Sequence, residues 1–441
     1  MEEGKRSQLA VASEPAVLAG VLFPNGDYDP HDPLGELRSL ADTAGAVVCD
    51  EILQHRQKPV ASTFMGKGKV EELAGLVKAH NASVVLFEND LSPSQIGKIE
   101  EIVEVKVLDR SELILDIFAA RAQTYESRLQ VELAQLEYTY PRLRAMWSHL
   151  ERIAGGAPAG IGTRGPGEQQ LEIDRRIVQQ RKSELKREIL RVQSRKTREV
   201  AQRNKDNYTV GLVGYTNAGK STLFNTLTGT GTYADDKLFA TLSTLTRKLD
   251  LGGGDSAMLS DTVGFVRDLP HHLVASFKST LEEAVNADLL LVVLDAAHPR
   301  AHQQLHTVMH VLDDIGATEP QRLLLLNKTD LLEHNADLLV FEKEYPDAIA
   351  ISAKTGVGLD KLIERIRQGI HGKTQTLTLQ LPMSDGKSIT FLENRTTIHD
   401  REYVDQFVRY TVTIGARQMD QLRSAGARIE IIQEPTAGSS R

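Results

Sequence analysis

The chain has 441 residues, 41% of them hydrophobic and 25% charged, with a net charge of −8 and one cysteine, Cys49. That length exceeds what a single hydrophobic core supports, so roughly two to four domains are expected. One cysteine excludes an internal disulfide framework and a multi-cysteine metal site, and the acidic balance argues against indiscriminate nucleic-acid binding.

Met1 to Ala10 is polar and carries no apolar signal core, and the longest apolar runs, Leu289–Leu294 and Leu323–Leu326, are too short to span a bilayer. A cytoplasmic protein without a membrane span, acting as a monomer, is the expectation. Val17–Phe23, Ala46–Cys49, Val84–Phe87 and Val105–Leu108 read as buried strands. Leu34–Thr43, Val70–Ala79 and Ser94–Ile102 read as the helices between them, which predicts a small parallel α/β domain over residues 1–115. Cys49 falls on the second of those strands and reads as buried rather than reactive. Gly66-Lys67-Gly68-Lys69 reads as an ordinary turn with exposed lysines.

Residues 116–206 are helical in pattern. Leu129, Leu133, Leu136, Tyr140, Leu143, Trp147 and Leu150 alternate spacings of four and three, the mark of a coiled-coil seam. Pro141 interrupts that seam, so a kink or break is expected there. Leu171, Val178, Leu185 and Val192 form a second seam with a seven-residue repeat, and a glycine-rich stretch from Ala154 to Gly167 separates the two. Two long helices joined by a glycine-rich tip make a helical hairpin. Its second arm, Arg175–Arg198, holds ten Lys/Arg against two Glu. Beside a tip bearing Arg164, that excess points to phosphate contact, with Arg164, Arg175, Arg176, Arg181 and Lys182 as candidate RNA contacts. Aromatic residues are sparse there, so recognition of shape and backbone fits better than base stacking.

Residues 207–372 alternate strands and helices, and four strand ends carry the chemistry. Val210–Val213 leads into Gly214-Tyr215-Thr216-Asn217-Ala218-Gly219-Lys220-Ser221, the phosphate-loop pattern G-x-x-x-x-G-K-[ST]. Backbone N–H groups of such a loop curl around phosphates, Lys220 reaches the β- and γ-phosphates, and the Ser221 hydroxyl ligates Mg²⁺. Met258–Ser260 delivers Asp261-Thr262-Val263-Gly264, an acid for the Mg²⁺ shell and a glycine N–H for the γ-phosphate. Leu323–Leu326 delivers Asn327-Lys328-Thr329-Asp330, whose last carboxylate accepts from guanine N1–H and its 2-amino group. In this reading Asn327 braces the base edge and the Lys328 stem covers its face. Ser352-Ala353-Lys354 follows another strand and supports guanine O6. His271-His272 lacks zinc-site spacing, so no zinc is assigned.

Residues 373–441 close the chain with alternation at Leu377, Leu379 and Leu381, a strand-like Phe407–Ile414, a helical Arg417–Leu422 and an apolar Ile429–Ile432. A small α+β domain with a disordered tail from Pro435 is expected.

The four motifs resemble G1, G3, G4 and G5 of translation-factor-related GTPases. Val107–Phe118, Leu129–Leu136, Gly162–Glu168 and Leu171–Arg176 are similar to the HflX family, as are Met65–Leu73, Leu238–Leu242 and Asp268–His271. The resemblance runs from about Val17 to about Gly369. It implies a Mg²⁺-dependent GTPase that binds GTP and GDP, acts on the large ribosomal subunit and splits stalled or stressed ribosomes. It also places the switch threonine at Thr241, with Phe239, Ala240, Leu242 and Ser243 beside the nucleotide, and gives Lys220, Thr241 and Gly264 the catalytic roles. The residues alone leave Thr232, Thr241, Thr244 and Thr246 as candidates, and they leave open an assembly or tRNA-modifying GTPase and a non-enzymatic RNA-binding protein holding GTP. Two positions depart from the family pattern: Ser243-Thr244 stand where Asp-Pro is usual, and Glu168-Gln169-Gln170 follow the Gly-Pro-Gly tip.

Many GTPases place a glutamine after Asp-x-x-Gly to orient the attacking water; here the position is Phe265. Slow intrinsic turnover follows, with help from the ribosome or from K⁺, for which Asn217, three residues before Lys220, is the candidate ligand.

Overall fold

A computed structural model of the protein describes residues 14–433, apart from 25, 27, 154–165, 230–238, 240–243, 253–254, 268–285, 318–320, 333, 335 and 372–374. The first unit runs β1 (Pro15–Leu22), α1 (Gly35–Ala44), β2 (Val47–His55), α2 (Lys67–His80), β3 (Val84–Phe87), α3 (Pro93–Val103), β4 (Lys106–Asp109) and α4 (Arg110–Arg121). Its sheet has the order β2-β1-β3-β4 and every pairing is parallel, as the strand–helix alternation predicts. Alternate residues of β1 enter two cores: Ala16 and Leu18 face one cluster, Val17, Ala19 and Val21 the other. A strand covered on both faces reads as continuous apolar sequence, which is the pattern of β1. Local caps set the helix ends. Ser92 and Gln95 form a reciprocal capping box on α3 with Pro93 inside its first turn, and the Asp109 side chain accepts from Glu112 N–H at the start of α4.

Cys49 differs from the sequence expectation: it is exposed. It lies on β2, the edge strand, where Ile52 is buried and the other positions are exposed or half-buried, so the open edge leaves this position in solvent.

α5 (Tyr125–Ile153) and α6 (Pro166–Asp206) are the two long helices of the hairpin. α5 is not broken at Pro141; a proline costs the helix one N–H bond and some strain, and the neighbouring turns on either side continue. Where side chains are described, Leu129, Leu133, Leu185 and Ile189 interlock, joined by Leu136. Leu129, Leu133 and Leu136 come from the first predicted seam and Leu185 from the second. Arg164 lies outside the described residues, as does the side chain of Arg175.

The third unit comprises β5 (Tyr208–Gly214), α7 (Lys220–Thr228), β6 (Leu245–Gly252), β7 (Asp255–Asp261), β8 (Leu289–Asp295), α8 (Ala301–Asp314), β9 (Gln321–Asn327), α9 (Ala336–Glu344), β10 (Ile349–Ala350) and α10 (Leu359–His371). Its six-stranded sheet has the order β10-β9-β8-β5-β7-β6, parallel except for β6. Leucine- and valine-rich β5, β8 and β9 form its interior, with cores on both faces. The phosphate loop leaves the C-terminal end of β5, beside the ends of β7, β8 and β9, where ligands of open α/β sheets bind.

The last unit adds β11 (Gln375–Pro382), α11 (Gly386–Arg395), β12 (Thr397–Val404), β13 (Phe407–Ile414), α12 (Ala416–Ser424) and β14 (Glu430–Gln433). They make an antiparallel sheet of order β12-β13-β11-β14, covered on one face by apolar residues of α11 and α12. α11 and β12 have no counterpart in the sequence reading; β12 is mostly polar and exposed, so its strand pattern is weak.

One cluster crosses between units. Phe239, Val263 and Val266 of the third unit are buried among Leu37, Leu40, Ile114 and Phe118 of the first. Phe239 and Phe118 meet edge to face at 4.5 Å between ring centroids.

Candidate functional site

Gly219 has φ +94 and precedes α7, so Lys220 and Ser221 sit in the first turn with backbone N–H groups and the positive end of the helix dipole beside them. The φ of +94 and a Cβ position 2.3 Å from Asn327 Nδ2 both require glycine. Lys220 folds back over the loop, its Nζ donating to the Gly214 carbonyl at 3.1 Å and the Tyr215 carbonyl at 2.7 Å. Burial pulls the Lys220 ammonium down to about 8, against the opposing pull of Asp261. Phosphate beside it favours the charged form, so nucleotide binding takes up a proton once the pH exceeds about 8. Affinity for GTP is therefore expected to be flat from pH 6.5 to 7.5 and to fall above pH 8, by at most about tenfold per unit. Titration with a fluorescent guanine nucleotide checks this; an affinity unchanged to pH 9.5 would refute it.

The Ser221 hydroxyl donates to Asp261 Oδ2 at 2.9 Å, and Asp261 is buried at the end of β7. An oxygen-only pair of this kind suits Mg²⁺, a hard cation. Ala240, Thr241, Leu242 and Ser243 lie outside the described residues. Phe239 is described: its side chain is buried in the cluster between the first and third units, where an aromatic ring gains far more than at the rim of a polar site.

The segment Asp261–Phe265 lies against the phosphate loop. Thr216 N–H donates to the Phe265 carbonyl at 2.7 Å and Phe265 N–H donates to the Gly214 carbonyl at 3.1 Å. A Cβ on Gly264 would lie 2.9 Å from Lys220 Nζ and 3.0 Å from Thr216 Cα. Thr262 donates to the Leu212 carbonyl, and Val263 is buried in the interdomain cluster. Phe265 is buried in the core of the third unit beside Tyr215.

Three motifs are tied together by one amide. Asn327 Nδ2 donates to the Ala218 carbonyl at 2.8 Å, and its Oδ1 accepts from Ala353 N–H at 2.9 Å. The sequence reading has Asn327 on the base edge; its amide also ties the two flanking loops together, and the residue is 1% exposed. Lys328 adopts φ +63 and pairs with Asp295 at 2.7 Å. Thr329 Oγ1 donates to the Ile351 carbonyl, Ser352 Oγ donates to Asp330 Oδ1 at 2.6 Å, and Lys354 is exposed. The structure thus brings Gly214–Ser221, Asp261–Gly264, Asn327–Asp330 and Ser352–Lys354 to one end of one sheet.

Sequence reasoning missed what lies next to them. Tyr215 OH donates to Glu36 Oε1 at 2.7 Å and accepts from Arg267 N–H at 2.7 Å. Arg267 also pairs with Glu88 and, at 3.7 Å, with Glu36. Arg110 bridges the same carboxylates at 3.1 Å each. Burial acts against both carboxylates; at Glu36 the two arginines outweigh it and hold the group below its ordinary value, whereas at Glu88 burial prevails and pushes it up. Burial pushes the Tyr215 phenol far up, so it stays protonated. A cavity of about 360 Å³ opens beside this cluster, lined among others by Glu36, Arg38, Thr216, Asn217, Arg267 and His298.

On the hairpin, Arg176 and Arg181 are exposed, but Arg181 pairs with Glu132 at 2.7 Å and Lys182 with Glu137 at 3.5 Å. α5 thus supplies acids that α6 itself lacks, and two of the five candidate RNA contacts also pair across the hairpin.

Three family descriptions match in succession: GTP-binding GTPase N-terminal over residues 31–119, GTP-binding GTPase Middle Region over 121–203 and 50S ribosome-binding GTPase over 209–328. The chain is 45% identical over 378 residues to GTPase HflX of Escherichia coli (strain K12), covering 85% of this chain and 87% of that one. It is 40% identical over 418 residues to GTPase HflX of Caldanaerobacter subterraneus subsp. tengcongensis, covering 95% of each. A crystal structure of a GTP-binding protein from the archaeon Sulfolobus solfataricus in complex with GDP aligns at 23% identity with a TM-score of 0.45, over 81% of this chain and 98% of that one.

Proposed function

The chain belongs to the HflX family of GTPases, and from that premise we propose that it couples GTP turnover on the large ribosomal subunit to the splitting or rescue of stalled ribosomes. It is a ribosome-associated GTPase that binds GTP and GDP and hydrolyses GTP. The observation that carries the reading of its site is the Asn327 amide, which holds the phosphate loop and the two guanine-side loops in one frame.

Within that frame, Lys220 serves the β- and γ-phosphates and the Gly264 N–H serves the γ-phosphate. Asp330 takes the guanine N1–H and 2-amino group, and Ser352-Ala353-Lys354 line O6. Mg²⁺, held by Ser221 and Thr241 with Asp261 behind them, supplies positive charge to the phosphate oxygens when bound. Asn217, exposed with φ +59, is the proposed ligand for K⁺. We assign residues 1–115, 116–206, 207–372 and 373–441 to four domains, acting as a cytoplasmic monomer. Among the described residues no helix is long and apolar enough to cross a membrane.

The hairpin is the proposed ribosome-binding arm, through Arg164, Arg175 and Arg176 and the exposed Arg187 and Arg191 rather than through Arg181 and Lys182. Replacing Arg176, Arg187 and Arg191 by Gln is expected to weaken large-subunit binding and to lower its salt slope by about two to three. Conversion of 70S particles to subunits, read by sedimentation, should fall in parallel while GTP affinity stays unchanged. Undiminished splitting by the triple variant would overturn the assignment of the hairpin.

A further inference from the structure

We propose that Arg267 is a catalytic arginine of this GTPase, held in reserve by the carboxylates of the N-terminal unit. The proposal rests on the GTPase reading above and adds a residue to its reaction.

The need arises at Phe265. It stands where a water-orienting glutamine is common, yet its ring is buried in the core of the third unit, and its backbone is fixed to the phosphate loop through Gly214 and Thr216. Hydrolysis forms a bond from a water oxygen to the γ-phosphorus and breaks the bond to the bridging oxygen. That electron pair leaves on the β-phosphate of GDP, and the water proton passes to the departing phosphate. The negative charge that shifts onto the bridging and γ-oxygens is what a fixed cation stabilises.

Arg267 is two residues beyond the backbone pairing of Phe265 with the loop, and its own N–H is held by the Tyr215 hydroxyl at 2.7 Å. Its backbone is thus anchored to the second residue of the phosphate loop by contacts independent of its guanidinium. Arg267 lines the same cavity of about 360 Å³ as Thr216 and Asn217 of the phosphate loop. Its guanidinium is turned towards Glu88 and Glu36, which come from the N-terminal unit just after β3 and from α1. Arg110 completes a quartet of two arginines and two glutamates, of which Arg110, Arg267 and Glu88 are buried and Glu36 is half-buried. In this arrangement the charge of Arg267 is neutralised in place. A purely bracing quartet would not need one member to line a cavity shared with the phosphate loop. Displacement of the N-terminal unit by the large subunit separates Glu36 and Glu88 from Arg267 and frees the side chain to turn to the phosphates.

A cage and a brace predict opposite signs, which single-turnover GTP hydrolysis by the full-length protein resolves. Glu88→Gln weakens the cage and is expected to raise the rate without ribosomes about tenfold. Arg267→Gln keeps hydrogen-bonding capacity but removes the charge, and is expected to lower the rate with large subunits about 100-fold. GDP affinity stays within about threefold in that variant, and its GDP–aluminium fluoride complex is lost. The double variant should be as slow as Arg267→Gln alone. Glu36→Gln, at a less buried carboxylate, repeats the release if Glu88→Gln fails to fold. Rates shifted in the same direction by the glutamate and arginine variants, or an Arg267→Gln rate equal to wild type, would reduce the quartet to a brace and overturn the proposal. Wild-type protein that fails to hydrolyse GTP even with large subunits would instead overturn the GTPase reading itself.

Discussion

Asn327→Ala is expected to destabilise the protein when no nucleotide is present. The variant strips the partners from the Ala218 carbonyl and the Ala353 N–H, both tied at 2.8–2.9 Å to an amide that is 1% exposed. Each buried group left without its partner costs roughly 1–3 kcal/mol, and the small residue also leaves a void at the junction of the two loops. Thermal unfolding of the nucleotide-free variant should show a lowered midpoint, and affinity for GDP and GTP should fall together because the whole frame loosens. An Asn327→Ala protein as stable as wild type, with lowered affinity for guanine alone, would confine Asn327 to the base edge.

Asp330→Asn acts on recognition instead. Its amide oxygen can still accept from Ser352 Oγ, the bond that now holds Asp330 Oδ1 at 2.6 Å, so local structure is preserved. What changes is the pairing with guanine N1–H and the 2-amino group, which loses a charged acceptor worth roughly 1–3 kcal/mol, or about five- to 150-fold in affinity. Xanthine carries an oxygen where guanine has the 2-amino group and can accept from the new amide. The variant is therefore expected to bind xanthosine triphosphate better than GTP. Competition between the two nucleotides checks this, and a variant that retains full preference for GTP would displace the base pocket from Asp330.

These two variants mark the line between what was legible in the sequence and what was not. The phosphate loop, the Asp261–Gly264 turn and the Asn327–Asp330 run were legible because each follows a short apolar strand in an order chemistry dictates. The parallel first sheet was legible from its alternating strands and helices. The job of Asn327 was not, because its partners stand 109 and 26 residues away and leave no spacing signal. The same holds for the contact of Tyr215 with Glu36, 179 residues apart, and for the burial of Phe239 against Phe118. A basic run on α6 likewise looks unpaired until the fold brings Glu132 and Glu137 of α5 alongside it. Edge position, which exposes Cys49, is set by strand order, and strand order is not written in any one strand.

The measurement closest to the centre of the account is GTP hydrolysis by the wild-type protein alone, with small subunits and with large subunits, each in KCl and in NaCl at equal ionic strength. With Phe265 buried and Arg267 held by Glu36 and Glu88, turnover alone is expected to be slow. Large subunits should accelerate it by about 100-fold or more, small subunits should not, and a further gain confined to KCl that is lost in Asn217→Ala would support K⁺ at Asn217. Equal rates with and without large subunits would contradict the account.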